Sequence, residues 1–411
     1  MSTPMQKQFD EIKQKYPDYV VLFRLGDFYE TFDEDAKTCA KVLGITLTAR
    51  GQGENRRAMA GVPHHALKNY LPKLVKAGVK TVIVDQVSQP EPGKIVERAV
   101  TDVITPGAII DEQLATGERN NYLAVLNIYS FRGKTKAAVV LFDLGTSDSL
   151  AVDFAELGED LNELIEFCNK YQVKEIVLPD HYYEEYKSKF SQQNFTSVKV
   201  FSKQIAADFK QDRAMSELKE EYKLNSFNAW GLEDKSDILG ALNALRIYAK
   251  ESLNKDIDLS NFKVIKEIDY VNVPWSSYKA LDVFYDSNGG QTDSLFNYLN
   301  KTCTSSGSRL LSEWLLRPSM DAKLLEYRYK SQEEIKNTTE KHPLVEFLEQ
   351  QVDYERFSVK YNYNRILPSH LYALAIAIKN AKHMQDLISG AEIKYEGALG
   401  EFLKLDLSKL E

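Results

Sequence analysis

Cysteine is scarce in this sequence: Cys39, Cys168 and Cys303 are odd in number and lie far apart. That set offers neither the close spacing of a zinc site nor an even disulfide framework, and it points to a reducing cytoplasm. Long apolar runs are missing as well. No stretch approaches the ~20 apolar residues that a membrane-spanning helix needs. The first residues, MSTPMQKQFDEIKQKYP, lack the apolar segment of a secretory leader and read as a helix. Positive charge is not in excess either. With 52 Lys and Arg against 60 Asp and Glu, the formal net charge is −8. This balance excludes a polybasic coat but leaves room for a locally basic nucleic-acid site. Internal repeats and low-complexity tracts are also absent.

What remains is an ordinary globular composition, 43% hydrophobic and 27% charged over 411 residues, enough for two or three domains with their own cores. The first ~115 residues alternate helix and strand signals in a mixed α/β pattern. Met5, Phe9, Ile12 and Tyr16 recur at helical spacing behind Thr3 as N-cap and Pro4 at the first helical position. The segments YVVLFR, ITLTAR, VKTVIV and RAVTDVITPG read as strands. DEDAKTCAKVLG and HALKNYLPKLVKAG read as helices closed by Gly44 and Gly78. DEQLATGERNN makes a polar linker.

A second α/β region, residues 120–262, opens with two strands, YLAVLNIYSF and KAAVVLFDLG. It continues with helix ELGEDLNELIEFCNKY, strand VKEIVLP, helix HYYEEYKSKF and the amphipathic DILGALNALRIYAKESL. Beyond Val273 strand signals vanish, and residues 270–411 read as helix after helix. The end, LKLDLSKLE, carries no stop signal, as if the helical domain continued. The expected fold class is therefore multidomain α/β plus all-α.

Several candidate sites compete with plainer readings. RGKT, Arg132 to Thr135, contains the Gly-Lys of a phosphate loop, but Ile128 stands where that loop needs a glycine and the segment joins two strands. It reads as a hairpin turn, and no other stretch fits a Walker-type ATPase. Asp143 ends a strand, where a metal nuclease would need several converging carboxylates. A turn carboxylate is the simpler reading. His64 and His65 are adjacent and so point apart, as in a helix entry after Pro63. Cys168 sits in an apolar helical pattern and reads as core.

Two stretches stay open. TARGQGENRRAMAG, Thr48 to Gly61, places Arg50, Arg56 and Arg57 among glycines and polar residues. It is either a solvated loop or a basic loop that grips phosphates without reading sequence. FRLGDFYETF puts Phe28 and Glu30 on one strand face and Tyr29 on the other. Phe28 is either a core ring with Glu30 emerging at the strand end, or a wedge that unstacks bases beside a carboxylate that accepts from a base edge.

The stretches TPMQKQFDEIKQKYPDYVVLFRLGDFYETFDEDAKTCAKVLGITLTARG, MAGVPHHALKNYLPKLVKAG and VTDVITPGAIID closely resemble the amino-terminal mismatch-binding domain of the MutS family of DNA mismatch repair proteins. Gly-Asp-Phe-Tyr-Glu matches the family's Phe-x-Glu motif. LNKTCTSSGSRLLSEWLLRPSMDAKLLEYR and DYERFSVKYNYNRILPSHLYAL resemble its helical core/lever domain. The region between fits the family's ribonuclease H-like connector by order and length. The resemblance implies a mismatch-binding domain over 1–115, a connector over 120–262 and an incomplete core/lever domain over 270–411. It makes Phe28 the minor-groove wedge and Glu30 the base contact, with Arg50, Arg56 and Arg57 as backbone contacts. Tyr29 would pack inward, and Gly307 would permit close helix packing.

Expected partners are double-stranded DNA with mismatches or small loops, a second copy in the complete protein and a MutL-type repair protein, without a membrane. Complete family members continue into an ATPase that uses ATP and Mg. This stretch carries none of that half, so no cofactor and no ATP hydrolysis are expected of it. The expected setting is cytoplasmic and nucleoid-associated. The alternatives are a MutS-like scaffold in recombination, whose specialised relatives typically lack the first domain or its Phe-x-Glu pair, and a metal nuclease at Asp143.

Overall fold

A computed structural model of the chain describes residues 3–51, 56–88, 96–111, 114, 119–192, 197–232, 236–259, 262–265, 269–286, 289–338, 341–390 and 395–407. Residues 1–116 and 121–264 form one compact unit; residues 117–120 and 265–411 form another. Most of the expected linker DEQLATGERNN and the end of LKLDLSKLE lie outside the described residues. No helix among those described is long and apolar enough to cross a membrane.

The first unit contains two six-stranded sheets. The first is built from β1 (Val20–Leu25), β2 (Phe28–Phe32), β3 (Thr48–Arg50), β4 (Arg57–Pro63), β5 (Thr81–Gln86) and β6 (Arg98–Ile104), in the order β3-β4-β2-β1-β5-β6. Only β1 and β5 run parallel; the other neighbours are antiparallel. Helices α1 (Pro4–Lys15), α2 (Asp33–Leu43) and α3 (Leu67–Lys76) cover it. Helix α1 starts as its residues require: Thr3 Oγ1 accepts from Gln6 N at 3.3 Å, while Thr3 N donates to Gln6 Oε1 at 2.7 Å, a reciprocal cap. Helix α2 stops at Gly44, whose φ of +68° is left-handed. On one sheet face Leu22, Tyr29, Val62 and Ile83 pack with Ala36, Cys39, Leu71 and Leu74 of α2 and α3. On the other, Phe9 of α1 packs edge-on against Phe23 and Phe32, at 5.8 and 4.9 Å between ring centres.

Strand β4 corrects the reading of Thr48–Gly61 as one loop. Residues Arg57–Pro63 pair with β2 on one side and with β3 on the other. That two-sided ladder supplies the hydrogen bonds which RAMAGVP, weak in β-branched residues, does not announce.

The second sheet comprises β7 (Leu123–Phe131), β8 (Lys134–Phe142), β9 (Ser149–Leu157), β10 (Glu175–Pro179), β11 (Val200–Gln204) and β12 (Phe262–Val264), in the order β11-β10-β7-β8-β9-β12. An antiparallel β7-β8-β9 meander is flanked by parallel β10, β11 and β12. This is the ribonuclease H-like arrangement. RGKT is the hairpin turn expected: Arg132 and Gly133, at φ +52° and +76°, link Phe131 to its partner Lys134. Helices α4 (Asn162–Lys170), α5 (Tyr183–Gln192), α6 (Gln211–Glu221) and α7 (Ser236–Ser252) complete the layer. The helix expected from Glu156 starts later, because Glu156 and Leu157 finish β9, with Leu157 opposite Thr135. Cys168 is core, and burial pushes its thiol up to about 12.

The second unit is helical, as expected: α8 (Trp275–Ala280), α9 (Leu295–Leu299), α10 (Ser305–Leu316), α11 (Ala322–Asn337), α12 (Lys341–Glu349), α13 (Tyr354–Asn362), α14 (Pro368–Ser389) and α15 (Ala398–Leu403). Trp275, Tyr278, Phe284 and Phe296 form an aromatic core, with the Arg119 guanidinium 4.0 Å from the Phe284 ring centre. Gly307 plays a different part from the one expected. A Cβ there would lie 2.9 Å from Thr304 Oγ1 and 3.4 Å from Thr302 Cβ. The space it leaves serves the cap of its own helix, where its N–H donates to Thr304 Oγ1 at 3.0 Å.

Candidate nucleic-acid interface

The β1–β2 hairpin turns at Gly26, whose φ of +60° suits glycine, and Asp27, whose carbonyl accepts from His64 N at 2.8 Å. Register then decides which side chains share a face. Phe28 lies between Leu25 and Pro63, and Glu30 between Phe23 and Gly61. Phe28 and Glu30 thus point to the α1 side of the sheet, while Tyr29 points to the α2–α3 side. Tyr29 is 4% exposed, as expected, whereas Phe28 is 47% exposed and Glu30 keeps 17% of its side chain in solvent. The core reading of Phe28 therefore fails. Helix α1 covers Phe23 and Phe32 but leaves the ring at the hairpin end bare.

The hairpin is held from behind. Burial raises the Tyr29 phenol, which donates to Asp85 Oδ1 at 2.7 Å; Thr101 Oγ1 donates to Asp85 Oδ2 at 2.9 Å. One carboxylate thus links β2, β5 and β6 beneath Phe28 and Glu30. Gly61 leaves the flank of Glu30 without a side chain, since a Cβ there would sit 3.5 Å from Glu30 Cγ.

Of the three sequence-picked arginines, the structure brings one to Glu30. Arg50, half exposed on edge strand β3, donates from Nη1 to Glu30 Oε2 at 2.6 Å. Arg56 is exposed and forms no ion pair to a described residue. Arg57 is a strand residue engaged within the protein. Its Nε donates to Asp33 Oδ2 and its Nη1 to Asp10 Oδ1, both at 2.9 Å, and its guanidinium lies over the Phe9 and Phe32 rings. Sequence reasoning missed Arg98 and the start of α1. Together with Leu25, the strand partner of Phe28, and Arg50, the ion-pair partner of Glu30, they line a cavity of about 640 Å³. Arg98 donates from Nε to Arg24 O at 2.8 Å and lies over the Phe23 ring. The one sequence signal available for it was a cation at the head of strand RAVTDVI.

The nuclease alternative meets a different geometry. Asp143 is buried; Oδ1 accepts from Gly145 N at 2.8 Å and Oδ2 from Asn121 N at 3.0 Å. One oxygen accepts from its own turn and the other from the chain entering β7, so the carboxylate ties the turn to the start of the sheet. No group of three or more His, Cys, Asp or Glu among the described residues is placed to hold a metal.

Family profiles described as MutS domain I, MutS domain II and MutS domain III match residues 3–113, 121–263 and 276–410. This chain belongs to the MutS family. Curated relatives named DNA mismatch repair protein MutS include those of Thermotoga maritima, Flavobacterium psychrophilum and Phocaeicola vulgatus. The first is 33% identical over 94% of this chain and 46% of its own length. The second is 33% identical over 90% and 42%, and the third 30% identical over 99% and 45%. The chain spans less than half the length of the curated MutS relatives it matches. Phe28, Glu30, Arg50, Arg56 and Arg57 all fall inside the stretch matching MutS domain I.

Proposed function

We propose that this chain recognises mispaired or unpaired bases in duplex DNA, with Phe28 as a minor-groove wedge and Glu30 as the group that contacts the base. The observation that carries the reading is the bare ring of Phe28, on the same open sheet face as Glu30 and anchored from below by Tyr29 and Asp85. What sets this half-exposed ring apart from other exposed apolar side chains of the chain is its place at the hairpin end, on the face it shares with Glu30.

The physics suits a reader of deformability. Inserting an apolar ring between base steps costs a few kcal/mol of unstacking. A mispair has already lost part of its stacking and pairing, so the same kink costs less there. A difference of ~1.4 kcal/mol is tenfold in affinity. Glu30 adds a second filter, because a carboxylate near phosphates is repelled unless it accepts a hydrogen bond from a base donor. Arg56 is exposed and Arg50, half exposed, is held by a single bond to Glu30, so both can reach phosphates; Arg57 is held by Asp10 and Asp33.

For the protein that contains this chain, the reading extends to initiation of mismatch repair, a second copy gripping the same duplex, a MutL-type partner and an ATP- and Mg-dependent half elsewhere. The setting is cytoplasmic, on the nucleoid. The test is fluorescence anisotropy of the longest natural form containing this chain, on G·T and fully paired duplexes. Phe28→Ala should abolish at least about tenfold of the preference (~1.4 kcal/mol). A preference that survives the substitution removes the wedge assignment.

A further inference from the structure

The Glu30 carboxylate is already taken. Arg50 Nη1 bonds Glu30 Oε2 at 2.6 Å, the one ion pair of Glu30 among the described residues. Resting on the mismatch-recognition reading, we infer that Arg50 is a latch on Glu30. It holds the carboxylate while the protein samples paired DNA, and moves to a phosphate when Phe28 enters a weak step, which frees Glu30 for the base.

Three features argue for a releasable contact in place of a permanent one. First, the pair is single-pronged and open: Arg50 is 50% exposed, and one N–H carries the contact. Structural arginines in this chain are made differently. Arg309 is 6% exposed, binds Asp353 with two parallel bonds of 2.8 Å and adds Glu355 at 2.6 Å. Arg57 joins two carboxylates across two aromatic rings. A single contact from a half-exposed guanidinium is weaker than those multidentate ones and exchanges more readily.

Second, Arg50 stands on the edge strand and lines the cavity with Leu25 and Arg98. A phosphate arriving there meets a guanidinium with most of its donors unused, and phosphate is a better bidentate partner than the Glu30 oxygen it already holds. Third, Gly61 puts no side chain against Glu30. On that flank no side chain holds the carboxylate once Arg50 leaves. No covalent step is involved; one ion pair is exchanged for a phosphate contact and a base hydrogen bond.

The exchange predicts a mismatch-dependent salt response, because each phosphate contact contributes about one to the slope of log affinity against log salt. In the wild type, Arg50→Gln should lower the slope by about one on G·T duplex and leave it unchanged on paired duplex. Arg50→Lys, which keeps the charge, should retain the G·T slope. In a Glu30→Gln background the latch has no catch, so Arg50→Gln should lower the slope by about one on both duplexes.

Equal changes on both duplexes in the wild-type background would mean that Arg50 always holds a phosphate. No change on either would mean that it never leaves Glu30. Each result overturns the latch. Phe28→Ala, measured alongside, separates this failure from that of the underlying reading. If the wild type shows no G·T preference that depends on Phe28, recognition by the wedge falls and takes the latch with it. If that preference is present and the slopes disagree, the latch alone falls.

Discussion

At the scale of single residues, Phe28 and Tyr29 are neighbours with opposite energetics. Truncating a buried phenylalanine costs about 3–5 kcal/mol, but the Phe28 ring is nearly half in solvent. Phe28→Ala is therefore expected to change urea-unfolding stability by no more than about 0.5 kcal/mol, even where it abolishes discrimination. Tyr29→Phe keeps the ring in the core and deletes the bond to Asp85. It should cost about 1 kcal/mol, measured by the same unfolding curve. If Phe28→Ala proves as damaging as a core truncation, the ring is packed and the wedge loses its basis. The alternation of these side chains was legible from FRLGDFYETF alone, because strand period is local. The exposure of Phe28 was not, since it depends on where α1 lies over the sheet.

At the scale of elements, the helical unit depends on a tie between α10 and α13. Arg309 grips Asp353, which also caps α13 by accepting from Arg356 N at 3.3 Å. Burial by itself would push the Asp353 carboxyl up, but the hydrogen bonds and charge of Arg309 hold it below its ordinary value. A depressed carboxyl contributes stability that is present above its unfolded pKa of about 3.9 and is lost as pH falls through the lower folded value. Helical circular dichroism should report that loss under acid. Asp353→Asn keeps a capping residue but leaves Arg309 with a broken pair. It should cost roughly 3 kcal/mol at neutral pH and remove this part of the acid dependence. A variant as stable as the wild type would mean that the tie contributes little.

Some elements escaped the sequence for equally specific reasons. RAMAGVP has too few β-branched residues to read as β4, and it is a strand because β2 and β3 pair with it on both sides. Leu157, Leu161, Leu164, Ile165 and Cys168 fit a helical repeat, yet Leu157 ends β9 through its pairing with Thr135. Long-range ladders won over local periodicity in both cases.

At the scale of the whole molecule, the two α/β layers of the first unit are joined by a polar seam. Glu175 of β10 is buried and accepts from Thr105 Oγ1, from Ser202 Oγ at 2.7 Å and from Tyr248 OH at 2.6 Å. Lys255 adds an ion pair to Asp102 at 2.8 Å. The fit is close at Gly107, where a Cβ would lie 2.5 Å from Glu175 Cβ. Gly107→Ala must push β10 from the first layer or twist the network, and overpacking of this kind costs about 1–3 kcal/mol. Hydrogen exchange should then quicken in β6 and β10 and stay unchanged in α10 and α14. Unchanged protection in β6 and β10 would mean that the seam yields without strain.

The sequence by itself determined the caps of α1 and α2, the RGKT turn, the helical second unit and the sharing of one strand face by Phe28 and Glu30. Each of these is written in residues within a few positions of one another, where propensity, capping and side-chain period act. Only the tertiary structure decided that Phe28 stays bare, that Arg57 turns inward to Asp10 and Asp33, and that Arg50 reaches Glu30. Those outcomes depend on sheet order β3-β4-β2-β1 and on how far α1 extends over the sheet. Contacts between residues far apart in the chain form only when the whole layer closes.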